Sequence, residues 1–125
     1  MKKLISSIIF FAVFISTQLM AGSVTRGQFT TAIVDREPVD LVETLSTDST
    51  EIKYFTELTE LQGETITHQW VHNDVVMFEK SFDVGGPRWR VWTSKRLQPG
   101  WTGVWIVNTL DSERNKILTQ TFEYK

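Results

Sequence analysis

The chain has 125 residues, 41% hydrophobic and 12% aromatic, with 13 basic against 15 acidic side chains, a net charge of −2, and no cysteine. That length suits one domain with a single modest core, and the acidic balance argues against a nucleic-acid partner. Without cysteine no disulfide can staple the fold, so burial of the aromatics has to carry its stability.

Residues 1–21 read as a secretory signal. Lys2 and Lys3 form a short positive start, Leu4 to Ile15 is apolar, and Leu19-Met20-Ala21 offers a small residue at a cleavage point. The rival reading is an uncleaved anchor, because Leu4 to Ala21 is 18 residues and a spanning helix needs about 20 apolar ones. Ser6, Ser7, Ser16, Thr17 and Gln18 dilute that run. The expectation is therefore a periplasmic or secreted protein, with membrane contact only if the signal is retained. No cysteine follows the run to accept a lipid. The remainder, residues 22–125, is expected to be one domain of 104 residues; without Lys2 and Lys3 it has 11 basic against 15 acidic side chains, a net charge of −4.

That remainder is rich in Thr, Val, Ile, Trp and Phe and shows no long apolar spacing of three and four, which is β chemistry. Gly22 to Gly27 reads as a loose lead. Strands are expected over residues 28–35, 41–45, 52–58, 65–72, 75–84, 88–95, 103–110 and 116–124. Asn73-Asp74 marks a tight hairpin, and Gly85-Gly86-Pro87, Pro99-Gly100 and residues 111–115 mark further turns. Ser46 to Thr50 is a polar loop with no apolar anchor, expected to be the least ordered internal stretch. Seven or eight short strands at intervals of roughly 10 residues predict an all-β, antiparallel immunoglobulin-like β-sandwich.

Alternation assigns faces. In the strand after Pro87, Trp89, Val91 and Thr93 share one side, expected to be buried, while Arg88, Arg90, Trp92 and Ser94 share the other. Ile66, His68, Trp70 and His72 share a side whose environment the pattern leaves open. Trp105, Val107 and Thr109 alternate with Val104, Ile106 and Asn108, so both faces are apolar, as in a central strand.

The runs Tyr54-Phe55-Thr56-Glu57-Leu58, Thr67-His68-Gln69-Trp70, Arg88-Trp89-Arg90-Val91-Trp92-Thr93-Ser94-Lys95 and Gly103-Val104-Trp105 give the chain its family likeness. In their order and spacing it resembles the bacterial domain-of-unknown-function family 2914 over about Phe29 to Tyr124, and the Arg-Trp-Arg…Ser-Lys element is the most specific part. The resemblance implies a small β domain in the cell envelope, with no established activity and no catalytic residues to carry over. Domains of that family usually end longer, often membrane-associated proteins, whereas this chain reads as a signal followed by the domain alone.

The candidate binding residues are Arg88, Arg90, Trp92 and Lys95, with His68 and Trp70 beside them. A guanidinium over an indole gains roughly 0.5–2 kcal/mol, so an Arg-Trp ladder can be either a closed structural face or a recognition platform for a sugar, carboxylate or phosphate. Other chemistries fit less well. His68 and His72 are four apart, which on a strand places them roughly 13 Å from each other, too far to share an ion. Asp35, Glu37 and Asp40 surround Arg36 and Pro38 and read as a solvated turn rather than a catalytic pair. Thr93 and Ser94 lack a base in any known nucleophile motif. No metal or cofactor is expected. The leading expectation is a non-enzymatic module that presents the Arg88, Arg90, Trp92, Lys95 face to an envelope protein or glycan. Its rivals are an accessory subunit pairing through a sheet edge and, last, a glycan-modifying enzyme.

Overall fold

A computed structural model describes residues 22–125; the signal expected at residues 1–21 lies outside the described residues. The strands are β1 (Ser23–Thr30), β2 (Ile33–Val34), β3 (Glu37–Pro38), β4 (Thr44–Leu45), β5 (Glu51–Thr59), β6 (Thr65–His72), β7 (Val75–Asp83), β8 (Arg88–Arg96), β9 (Gly103–Leu110) and β10 (Lys116–Tyr124). A three-stranded sheet, β1-β5-β8, is layered with a five-stranded sheet, β4-β10-β9-β6-β7, and β2-β3 is a separate hairpin. The chain is thus an all-β sandwich, antiparallel throughout except for the two-residue parallel pairing of β4 with β10. Between β6 and β7 the turn residues Asn73 and Asp74 both take positive φ, 50° and 63°, the shape that matches the twist of a two-residue hairpin.

Alternation builds the core. On β6, Ile66, His68, Trp70 and His72 all point inward, which settles the side that the pattern left open. Phe29 meets Phe122 at 4.7 Å and Trp70 at 5.9 Å, both edge-on, and Trp105 stacks on Phe122 at 6.3 Å. Edge-on and offset rings of this kind add about 0.5–1.5 kcal/mol per pair to area burial. A second cluster, Leu58, Ile66, Val84 and Val91, fills the other end beneath Trp89. Trp105 lies wholly in the core, on central strand β9.

A polar pin crosses the interior. The Trp70 indole donates to Thr93 Oγ1 at 3.0 Å, His68 Nδ1 meets the same hydroxyl at 3.0 Å, and His68 Nε2 meets Thr56 Oγ1 at 2.9 Å. His68 and Trp70 belong to one sheet, Thr56 and Thr93 to the other. Both ring nitrogens are therefore satisfied without water.

The amino-terminal third differs from the sequence expectation. Gly22–Gly27 is not a loose lead, because β1 begins at Ser23 and pairs with β5 through Thr30. That strand stops there because Asp40 grips the bend: Thr30 Oγ1 and Thr31 Oγ1 each donate to its carboxylate at 2.6 Å, and the Thr31 amide does so at 2.8 Å. The strand expected over 28–35 is thus cut in two, and the one expected over 41–45 shrinks to β4. The Ser46–Thr50 loop is tied down by backbone and side chain, the Tyr124 hydroxyl donating to the Ser49 carbonyl at 2.7 Å and the Thr47 amide to the Lys125 carbonyl at 3.2 Å.

One flank of the sandwich is closed. The Gln120 side-chain amide donates to the Gly27 carbonyl at 2.8 Å, joining β10 to β1. A Cβ at Gly27 would lie 2.5 Å from Gln120 Oε1 and 2.9 Å from Leu118 Cδ2. The variant Gly27→Ala is expected to lose about 1–3 kcal/mol in thermal or denaturant unfolding, the usual cost of overpacking; parent-like stability would show that this flank is not closed.

His68 supplies a pH prediction. Burial pushes its imidazole from 6.5 down to about 3, so the fold holds it neutral. A depressed histidine contributes nothing unfavourable above about pH 6.5, and below it costs up to about 1.4 kcal/mol per pH unit as the unfolded state takes up the proton first. Stability should fall between about pH 6.5 and 4.5, above the range of ordinary carboxylates, and His68→Gln should flatten that slope. An unchanged slope in the variant would refute the assignment.

Candidate functional site

The outer face of the three-stranded sheet brings Arg26 of β1, Phe55 and Glu57 of β5, and Arg88, Arg90 and Trp92 of β8 side by side. Phe55 is fully buried although it points away from the core, and the Arg26 guanidinium lies over its ring at 5.1 Å. The β2–β3 hairpin is held over the same face. Arg26 forks onto Glu37 at 3.0 and 2.8 Å, and Arg90 Nη1 donates to Glu37 at 2.8 Å. The hairpin turn residues Asp35 and Arg36 take φ of 52° and 65°, which makes a tight two-residue reversal and brings Glu37 back over the sheet.

Glu57 completes the network, accepting from Arg26 at 2.8 Å and from Arg88 at 3.1 and 2.8 Å. Three guanidiniums thus surround two carboxylates. Hydrogen bonds from Arg26 and then Arg90 hold Glu37 down at about 2; Arg26, with Arg88 after it, holds Glu57 below its usual range. The Arg-Trp ladder is therefore largely neutralised from within, and the Glu37 and Glu57 carboxylates take the place of the anionic ligand that the sequence suggested. The acidic turn around Arg36 is likewise engaged: Glu37 joins the network and Asp40 holds the end of β1.

Arg88, Arg90 and Trp92 share this face, but three other candidates do not. Lys95 has the parity of Trp89, Val91 and Thr93, so it lies on the other side of β8 with its ammonium 5.2 Å from the Trp101 ring centroid. Its place in the Arg88, Arg90, Trp92, Lys95 group gives way to the two-residue period of a strand. His68 and Trp70 are wholly buried with their ring nitrogens bonded inside the core. They cannot meet a ligand without opening the sandwich.

The other flank of the sandwich leaves a groove. Between the outermost strands β7 and β8 a cleft of about 290 Å³ is lined by Lys80, Phe82, Arg90, Val91 and Trp92. Lys80 lies opposite His68 and Phe82 opposite Ile66, so both side chains lean toward the inner side at the open margin. The Lys80 ammonium sits 5.5 Å from the Phe82 ring centroid, and no ion pair holds it among the described residues. The sequence reading missed Lys80 and Phe82. A visible clue was Phe78-x-Lys80-x-Phe82, which sets a cation at the centre of an aromatic face.

The network itself is testable. Glu57→Gln should leave Arg88 without its acidic partner and Arg26 with Glu37 alone, and lower stability by about 1 kcal/mol, with most of the difference vanishing at high salt because these groups are partly exposed. The depressed carboxylates act only above their unfolded pKa of about 4.3 and lose their contribution as pH falls toward their folded values. The Glu57→Gln penalty should therefore shrink below about pH 4. A penalty independent of salt and pH would mean that packing, not charge, accounts for it.

Among the described residues no three His, Cys, Asp or Glu side chains lie close enough together to hold a metal ion. No curated protein matches the chain. Residues 63–124 match the family described as "Protein of unknown function (DUF2914)". The match takes in β6 to β10, with the Thr67–Trp70, Arg88–Lys95 and Gly103–Trp105 runs, and begins after the Tyr54–Leu58 run. Both margins of the groove, and every residue lining it, come from that stretch, over which the chain is similar to the DUF2914 family, proteins of unknown function.

Proposed function

We propose that the domain is a non-enzymatic binding module of the cell envelope, exported by its leading segment, and that it seats an envelope protein or glycan against Trp92. The observation that carries this reading is the groove, where the sheets part and a half-buried indole lies beside Phe82, Lys80 and Arg90. An indole offers an apolar plane for a sugar ring or an aromatic side chain, and the two cations suit a carboxylate or phosphate. The hydroxyls nearby are engaged in structure: Thr93 accepts from Trp70, and Ser94 accepts from Lys53 at 2.9 Å.

The test is titration of the chain with a soluble acidic polysaccharide and with acidic peptides, followed by tryptophan fluorescence. Trp92→Ala is expected to weaken binding by at least about tenfold, equivalent to about 1.4 kcal/mol, while its unfolding midpoint stays near the parent's. Trp105→Ala, a fully buried control, should cost about 3–5 kcal/mol of stability. Binding to anionic probes should weaken as salt rises. Equal binding by parent and Trp92→Ala, or unfolding of Trp92→Ala comparable with Trp105→Ala, would sink the proposal.

A further inference from the structure

The sandwich treats its sheet margins unequally. β1 carries a register shift between Val24 and Arg26 and is tied to β10 through Gln120. β4 has only two residues, and β10 beside it is shifted between Lys116 and Leu118. β7 is shifted where Trp70 and Val71 pair with Phe78 and Val76, which leaves Met77 over, and it points Lys80 inward. Shortness, bulges and inward charge are the devices by which sheets prevent unwanted strand pairing. β8 is neither short nor bulged, and its one charge of inward parity, Lys95, lies near the far end of the strand, beside Trp101 and away from the groove. It pairs with β5 without a shift over all nine residues, from Thr59↔Arg88 to Glu51↔Arg96.

The backbone direction on β8 follows from its two ends. The Glu60 amide donates to the Pro87 carbonyl at 2.7 Å, and the Leu97 amide to the Thr50 carbonyl at 2.8 Å. With no shift between them, the odd-numbered residues bond β5. The N–H and C=O groups of Arg88, Arg90, Trp92 and Ser94 then point away from the sheet. That row of unpaired groups forms the groove's β8 margin, where Arg90 and Trp92 line it.

We propose that β8 is a strand-addition site and that its occupant is an extended polypeptide segment of alternating acidic and apolar residues. This rests on the reading that the groove is a binding seat, and it names the class of partner. An added strand places alternate side chains on the two faces of the sheet. Those on the outer face come beside Arg88, Arg90 and Trp92; those on the inner face come beside Val91 and toward Phe82. The outer row meets cations with donors to offer, since only Nη1 of Arg90 is engaged, and Arg88 uses Nε and Nη2. No carboxylate lines the groove. The outer row of the partner is therefore acidic and the inner row apolar.

The experiment titrates the isotopically labelled chain with a nine-residue peptide of alternating Glu and Val, matched to the nine residues of β8, and follows backbone amides by NMR and hydrogen exchange. The expected result is shifted, exchange-protected amides at Arg90, Trp92 and Ser94. N-methylation of the peptide on its pairing edge should weaken binding by at least about tenfold, since each methyl removes a ladder donor. Ser94→Pro, which removes a donor from the free margin of β8, should do the same. If that variant fails to fold, the methylated peptide alone decides. Equal binding of methylated and unmethylated peptides would overturn strand addition while leaving a binding groove in place. So would binding at the groove of a soluble acidic polysaccharide with no binding of the peptide. Concentration-dependent self-association that protects the same amides would assign the margin to a second copy and overturn the acidic partner. Binding of neither probe would overturn this inference and the binding reading together.

Discussion

The hydroxyl of Thr93 sets the relation between the two sheets. In a chain without cysteine, lateral slip of one sheet over the other is opposed by packing, which is forgiving, and by directional bonds, which are not. Thr93 Oγ1 receives the Trp70 indole and meets His68 Nδ1, and Thr56 takes the other ring nitrogen. Displacing β6 along β8 by one residue would face these nitrogens with the wrong parity and leave several buried polar atoms unpaired, each costing about 1–3 kcal/mol. The pin also orients β8. With Thr93 directed inward, Trp92 and Arg90 are directed outward.

From that orientation the asymmetry of the sandwich follows. On one flank the Gln120 and Leu118 side chains of β10 come close against the bare backbone of Gly27, and the Gln120 amide joins β10 to β1 there. On the other flank β7 and β8 belong to different sheets and no ladder joins them, so a groove remains. The outer face above β8 is sealed differently again. Phe55 needs cover there, and Arg26 supplies it while Glu37 holds the β2–β3 hairpin over the same network. Aromatic burial, arginine stems and internal carboxylates close that face beneath the short β2–β3 hairpin.

The strands from residue 52 onward were legible because alternation and the turn dipeptide Asn73-Asp74 are local signals. The inward course of Trp89, Val91 and Thr93 was legible for the same reason. The amino-terminal third was not. The end of β1 at Thr30 depends on a carboxylate ten residues further on, at Asp40, and the β2–β3 turn uses Asp35-Arg36 where the usual hairpin signal would be Asn-Gly or Asp-Gly. At the site, the arginines and Trp92 could be picked by type, but their neutralisation by Glu37 and Glu57 could not, because the partners lie 53 and 31 residues away along the chain. Lys95 was misplaced by proximity in sequence where parity would have separated it. His68 was named as a candidate binding residue, whereas its surroundings make it a neutral part of the core.

An unshifted strand at the margin of a sheet is an aggregation hazard, so its persistence needs a counterweight. The arginines supply one. Two copies of β8 pairing antiparallel would bring Arg88, Arg90 and Arg96 of each copy onto the same outer face, because all three share the parity of Trp92. Like charges facing one another across strands are destabilising. Glu37 and Glu57 offset part of this charge, but the network retains one cation in excess of its carboxylates, and Lys80 across the groove adds another without an ion pair among the described residues. The side chains that repel a second copy are thus the ones that favour an acidic strand. Discrimination of this kind, repulsion toward one partner and attraction toward another from the same groups, allows a margin to stay open for one partner and closed to itself.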